Sequence, residues 1–167
     1  VKIIRKFLSF SALVCTAILL VACDYEYDLY HEFIREETEV EKIELITYDG
    51  QGEGSSDHPV FDSEKLEVLD TLDADDIDAF LVELSEIGGF SSKRKQVMDS
   101  PNGKGIRLTY IDGGFTLITI STVDENESIF FGNFDASENI ERFYGIIWPE
   151  MITDFKTLIF DYFEIEI

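Results

Sequence analysis

The sequence predicts an α+β fold: an antiparallel sheet of about six strands with two amphipathic helices packed on one face. Three observations lead there. Two segments, one from Asp73 to Ile87 and one opening at Pro149, carry apolar residues at helical spacing, while much of the remainder alternates with a period of two. The alternating runs are short and separated by Gly-rich turn signals, so consecutive strands read as hairpins. Fourteen Phe, seven Tyr and one Trp supply large apolar groups, enough for a core in a chain that sets 35 acidic residues against 13 basic ones.

Taken in order, Asp24 to Glu41 holds eight acidic residues and one basic residue, Arg35. Leu29, Tyr30, Phe33 and Ile34 recur at i, i+1, i+4 and i+5, so this stretch reads as a charged tether with a partly helical middle. Ile43 to Tyr48 alternates and forms a first strand. Asp49 to Pro59 (DGQGEGSSDHP) is loop material, and Glu64 to Leu69 reads as a second strand. Asp73 is placed as a helix N-cap, with Asp75 and Asp76 in the first turn, where the macrodipole favours negative charge. Ile77, Phe80, Leu81, Leu84 and Ile87 then make one apolar stripe that should carry Leu81 and Leu84 into the core, and Gly88-Gly89 stops the helix.

Lys93 to Met98 reads as a further strand, followed by a turn through Ser100-Pro101-Asn102-Gly103. Ile106 to Ile111 and Phe115 to Ser121 flank Asp112-Gly113-Gly114, where glycine supplies the positive φ that a tight hairpin needs. Strands over Ser128 to Phe134 and Arg142 to Ile147 come next. Pro149 suits the first position of the last helix, whose stripe is Met151, Phe155, Leu158, Ile159 and Tyr162.

The first 23 residues are of another kind. Lys2, Arg5 and Lys6 form a basic region, and Phe7 to Val21 is uncharged and mostly apolar. That run falls short of the roughly 20 apolar residues a membrane span needs, so the layout fits a secretory signal. Its last residues, Leu20-Val21-Ala22-Cys23, resemble the lipobox of bacterial lipoproteins. The resemblance implies cleavage between Ala22 and Cys23, diacylation of Cys23, and attachment to the cell membrane on its extracytoplasmic face. The chain then divides into a lipoprotein signal peptide at 1–22, an acidic tether at 23–41, and a single α+β domain at 42–167. In its rhythm the mature part resembles the small uncharacterised lipoproteins of Gram-positive bacteria. That likeness is one of pattern and implies no activity.

Charge narrows the partners. Loss of Lys2, Arg5 and Lys6 with the signal would move the formal charge from −22 to −25. Such a chain lacks the basic patch with which proteins displace counterions from nucleic acid, and an anionic membrane surface repels it. It attracts basic proteins, cationic peptides or divalent cations. With Cys15 in the signal and Cys23 lipidated, no disulfide or thiol chemistry is expected of the mature domain.

No constellation of catalytic residues emerges. The acidic run from Asp70 to Asp78 fails as a calcium loop started at Asp73, because Asp78 stands where Gly is required and Leu84 where a bidentate Glu is required. Gly50-Gln51-Gly52-Glu53-Gly54 lacks the Lys-Ser/Thr of a phosphate loop, and its charge is negative. His31 and His58 are the only histidines, and neither has a partner at the short sequence spacing of a local metal-ligand pair. No serine occupies a Gly-x-Ser-x-Gly elbow, and Asn126-Glu127-Ser128 is a glycosylation sequon without meaning in a bacterial lipoprotein. The pairs Phe130-Phe131 and Phe143-Tyr144 put an aromatic on each face of their strands. One of each pair belongs to a core, and the other is either covered by a helix or part of a partner-binding patch.

The expected function is therefore that of a non-catalytic protein-binding lipoprotein. It would need no metal and no cofactor, would be anchored through Cys23, and would have a basic protein or peptide as its partner. Two other classes remain: a cation- or ligand-binding accessory lipoprotein, and a carboxylate-dependent hydrolase.

Overall fold

Alternation in the sequence becomes paired strands in the computed structural model, which describes residues 26–27, 33–35, 38–50, 61–87, 90–91, 102–123, 126–146 and 149–167. The strands are β1 (Glu26–Tyr27), β2 (Val40–Tyr48), β3 (Leu66–Thr71), β4 (Phe90–Ser91), β5 (Gly103–Tyr110), β6 (Phe115–Val123), β7 (Asn126–Phe134) and β8 (Ile140–Ile146). The helices are α1 (Ile77–Glu86) and α2 (Pro149–Phe163). Six strands form one antiparallel sheet in the order β3-β2-β5-β6-β7-β8, and β1 pairs with β4 in a separate ribbon. Both helices pack against the large sheet, as the fold class required.

Local chemistry sets the boundaries. β3 starts at Leu66 because Ser63–Lys65 close a 3₁₀ turn, capped by the Asp62 carboxylate, which accepts the Glu64 N–H at 3.0 Å. Asp73 takes an N-cap position, but that of a 3₁₀ turn rather than of α1 itself. A 3₁₀ turn over Ala74–Asp76 precedes α1, and the Asp73 side chain makes no capping hydrogen bond. The hairpin at Asp112-Gly113-Gly114 forms as expected, with Gly113 at φ +85 and the Asp112 carboxylate accepting the Gly114 N–H. Asp135 secures the β7–β8 turn by accepting from Ser137 N–H and from the backbone and side chain of Asn139. These bonds, the Asn139 side chain first, hold its carboxyl below the ordinary value. The strand expected at Lys93 to Met98 lies outside the described residues.

Period-two alternation sends Ile43, Leu45, Ile106, Leu108, Ile118, Ile120, Ile129 and Phe131 to the helix-covered face. There they meet Phe80 and Leu84 of α1 and Met151, Ile152, Phe155, Leu158, Ile159 and Phe163 of α2. Ile152 and Phe163 widen the expected stripe of α2. In α1, Leu84 is buried but Leu81 is only half-buried, a correction to the expected pair: the helix turns Ile77, Phe80 and Leu84 to the sheet and leaves Leu81 at the margin. Phe33 and Ile34 join this core from the segment ahead of β2.

The opposite face buries a second, aromatic cluster of Ile46, Tyr48, Phe61, Phe115, Leu117 and Phe134. Phe115 and Phe134 stack with ring centres 4.7 Å apart, and Phe61 lies 5.0 to 5.2 Å from Tyr48, Phe115 and Phe134. The consecutive aromatics split between the two faces, and the outward Phe130 is buried on the face without helices rather than covered by a helix. Phe131 and Tyr144 join the helix-side core, while Phe130 stacks on Phe143 across the other face.

Candidate functional site

Several residues singled out in the sequence, Ala22, Cys23, His31, His58 and the loop at 51–54, lie outside the described residues. Asp70, Asp73, Asp75, Asp76 and Asp78 are exposed along the end of β3 and the start of α1. Among the described residues no group of three or more His, Cys, Asp or Glu is placed to hold a metal ion. Ser128 of the sequon is buried in β7, against Ser121.

The segment entering β2 is fastened by Arg35. Its guanidinium donates Nη1 to Asp112 at 3.2 Å and Nη2 to Glu141 and to the Phe134 carbonyl at 2.9 Å. It also lies 5.3 Å from the centre of the Tyr110 ring. Gly114 makes room for it, since a Cβ there would sit 2.6 Å from Arg35 Nη1. Beneath, the Arg35 N–H donates to the Tyr110 hydroxyl at 3.2 Å, which lies 2.7 Å from the Thr116 hydroxyl, and Thr116 in turn lies 3.0 Å from the Phe33 carbonyl. Burial pushes the Tyr110 phenol above its ordinary value against these hydrogen bonds. The network ties residues 33–35 to the ends of β5, β6 and β7.

Beside this clasp a groove of about 560 Å³ opens between residues 34–35 and 38–41 on one side and α1 on the other. Ile34, Val40, Ile77, Leu81 and Ile111 give it apolar walls, and Glu39, Glu41 and Asp78 stand at its rim with Arg35 and Thr38. Leu81, at the margin of the core, is thus a groove residue. A second depression of about 260 Å³ runs between α1 and α2, lined by Glu83, Glu86, Asp154 and Asp161 over Ile87 and Leu158. At its border the Tyr162 hydroxyl donates to Glu83 at 2.8 Å. Desolvation, that bond, and the nearby charges of Glu83, Asp76 and Asp161 push the Tyr162 phenol up to about 12.

Two cations meet one carboxylate on the face away from the helices. Arg107 donates Nε and Nη2 to one oxygen of Glu44 at 2.8 and 2.5 Å, and Lys42 reaches the other oxygen at 2.8 Å. Burial pushes the Glu44 carboxyl up, but the hydrogen bonds and charges of Lys42 and Arg107 outweigh it and leave the group below its ordinary value.

Sequence reasoning missed the clasp and the groove. The one signal for the clasp was Arg35 itself, a lone cation in an acidic run. Ile111, β-branched and exposed at the edge of a turn, was the corresponding hint for the groove. Chemically, the groove offers apolar contact beneath three carboxylates. Comparison with protein-family models, with curated proteins and with solved structures finds no match for this chain.

Proposed function

We propose that this protein is a membrane-anchored, extracytoplasmic lipoprotein whose domain binds a protein partner and catalyses no reaction. The observation that supports binding is the acid-rimmed, partly apolar groove between residues 34–35 and 38–41 and α1. The anchor rests on Leu20-Val21-Ala22-Cys23. Two acyl chains on Cys23 would give a stable hold.

The test has two arms. Cys23→Ala should abolish metabolic palmitate labelling and leave an uncleaved precursor or released protein, and undiminished label would overturn the anchor. A cell-surface pull-down with the lipidated protein, resolved by mass spectrometry, should enrich an extracytoplasmic polypeptide. Turnover of a substrate by the purified chain would overturn the non-catalytic reading.

A further inference from the structure

We infer that the groove between residues 34–35 and 38–41 and α1 is the docking site for a cationic polypeptide segment that lays aliphatic side chains on the groove's apolar walls. The inference rests on the binding-module reading above. The walls supply apolar contact: Ile34 and Ile77 are buried beneath, Leu81 is half-buried, and Ile111 is 62% exposed at the lip. A volume of about 560 Å³ is in the range of ordinary ligand clefts, roughly 300 to 1,000 Å³.

Charge selects the occupant. Arg35 is the one cation among the lining residues, and its guanidinium is engaged by Asp112 and Glu141 outside the groove. Lys42 and Arg107 serve Glu44, Lys156 serves Glu127, and Lys104 donates to the Glu166 carbonyl. Among the described residues no salt bridge reaches Glu39, Glu41 or Asp78. A neutral apolar ligand would strip water from these carboxylates without replacing it. A second copy of this chain would bring a like charge of −22 to the same place. A cationic segment pairs with the rim as its aliphatic groups reach the walls, and the acidic depression on the other side of α1 adds attraction of the same sign.

The test is calorimetric titration of the full chain, in a non-ionic detergent, with a short peptide of alternating lysine and leucine. The protein should bind it saturably at one site, and more weakly as salt rises from about 50 to about 300 mM. Replacing the rim (Glu39→Gln, Glu41→Gln, Asp78→Asn) should weaken binding by about tenfold or more, and Ile111→Ser, at an exposed position that cannot unfold the domain, by about threefold to tenfold. A control set on the edge strand and the 3₁₀ turn before it (Glu64→Gln, Glu67→Gln, Asp70→Asn) should change affinity by less than about twofold. The proposal is overturned if the control set weakens binding as much as the rim set, or if oligolysine binds as tightly as the mixed peptide and ignores Ile111→Ser. A surface partner whose capture ignores every groove substitution also removes the groove, yet leaves the binding-module reading standing. Absence of any surface partner counts against that reading instead, while the titration still decides the groove.

Discussion

The face of the sheet beneath α1 and α2 buries aliphatic side chains from four strands, whereas the opposite face buries an aromatic cluster beside the Glu44–Arg107 ion pair. Each face meets the same demand, removal of apolar surface from water, by different means. On the helix side two long amphipathic elements supply continuous cover, so medium-sized Ile and Leu suffice. On the other side the described cover is Phe61, delivered by the chain just before β3, and large rings must fill the space themselves. Glu44 can be buried there because two cations satisfy both of its oxygens. The helix-covered face confines its polarity to the Tyr110–Thr116–Asn133 network, while the other face carries the Glu44 ion pair beside its rings.

The sharpest way to break this comparison is to remove one ring from each face. Phe155→Ala, at 1% exposure under α2, should cost about 3–5 kcal/mol in denaturant melts. Phe61→Ala should cost a similar amount, about 3 kcal/mol, because Phe61 touches three rings. A loss below about 1 kcal/mol at Phe61 would show that the aromatic face does not depend on that cover.

Within the helix layer, Leu84→Ala should cost about 2–4 kcal/mol and Leu81→Ala about 1 kcal/mol, following their unequal burial. Equal losses would return Leu81 to the core.

The ion pair gives a smaller effect with a pH signature. Glu44→Gln should cost about 1–3 kcal/mol at neutral pH, because Arg107 keeps its half-buried position and loses its charged partner. Glu44 has a lowered folded value, so its contribution is complete above the ordinary carboxylate range and is lost as pH falls through the folded value. The gap between wild type and Glu44→Gln should therefore close as pH drops below about 4. A gap that is independent of pH would assign the loss to packing.

What the sequence disclosed follows the range of the interactions. The Asp112-Gly113-Gly114 hairpin and the stripes of α1 and α2 are set by neighbours a few residues apart, and they were legible. Arg35 pairs with Asp112 and Glu141 across 77 and 106 positions, and no local pattern encodes such a meeting. The groove has the same origin, since residues 38–41 meet α1 only once the sheet is assembled. Asp73 reads as a cap from its neighbours alone; that it caps a 3₁₀ turn, and without a side-chain bond, is a matter of how the chain leaves β3. Leu81 was misplaced because a stripe shows which residues share a helix face, and leaves open which edge of that face the sheet covers.

Two threonines of β6 carry the comparison to a single atom. Thr116 and Thr119 are both fully buried, three residues apart, and alternation points them to opposite faces. The Thr116 hydroxyl, on the helix side, meets the Tyr110 hydroxyl, the Phe33 carbonyl and the Asn133 side chain. Thr119 is paired in register with Gly105 of β5 and Phe130 of β7, and its hydroxyl has no hydrogen-bond partner. Valine has nearly the shape of threonine with a methyl in place of the hydroxyl, and both residues suit strands. Thr116→Val should therefore destabilise the domain by about 1–3 kcal/mol, because it strips partners from buried polar groups. Thr119→Val should stabilise it by about 1 kcal/mol, because it removes a buried group whose desolvation nothing offsets. Matched thermal melts of the two variants read opposite signs from one substitution in one strand. A loss at both positions would mean that the aromatic face holds the Thr119 hydroxyl as firmly as the helix face holds that of Thr116.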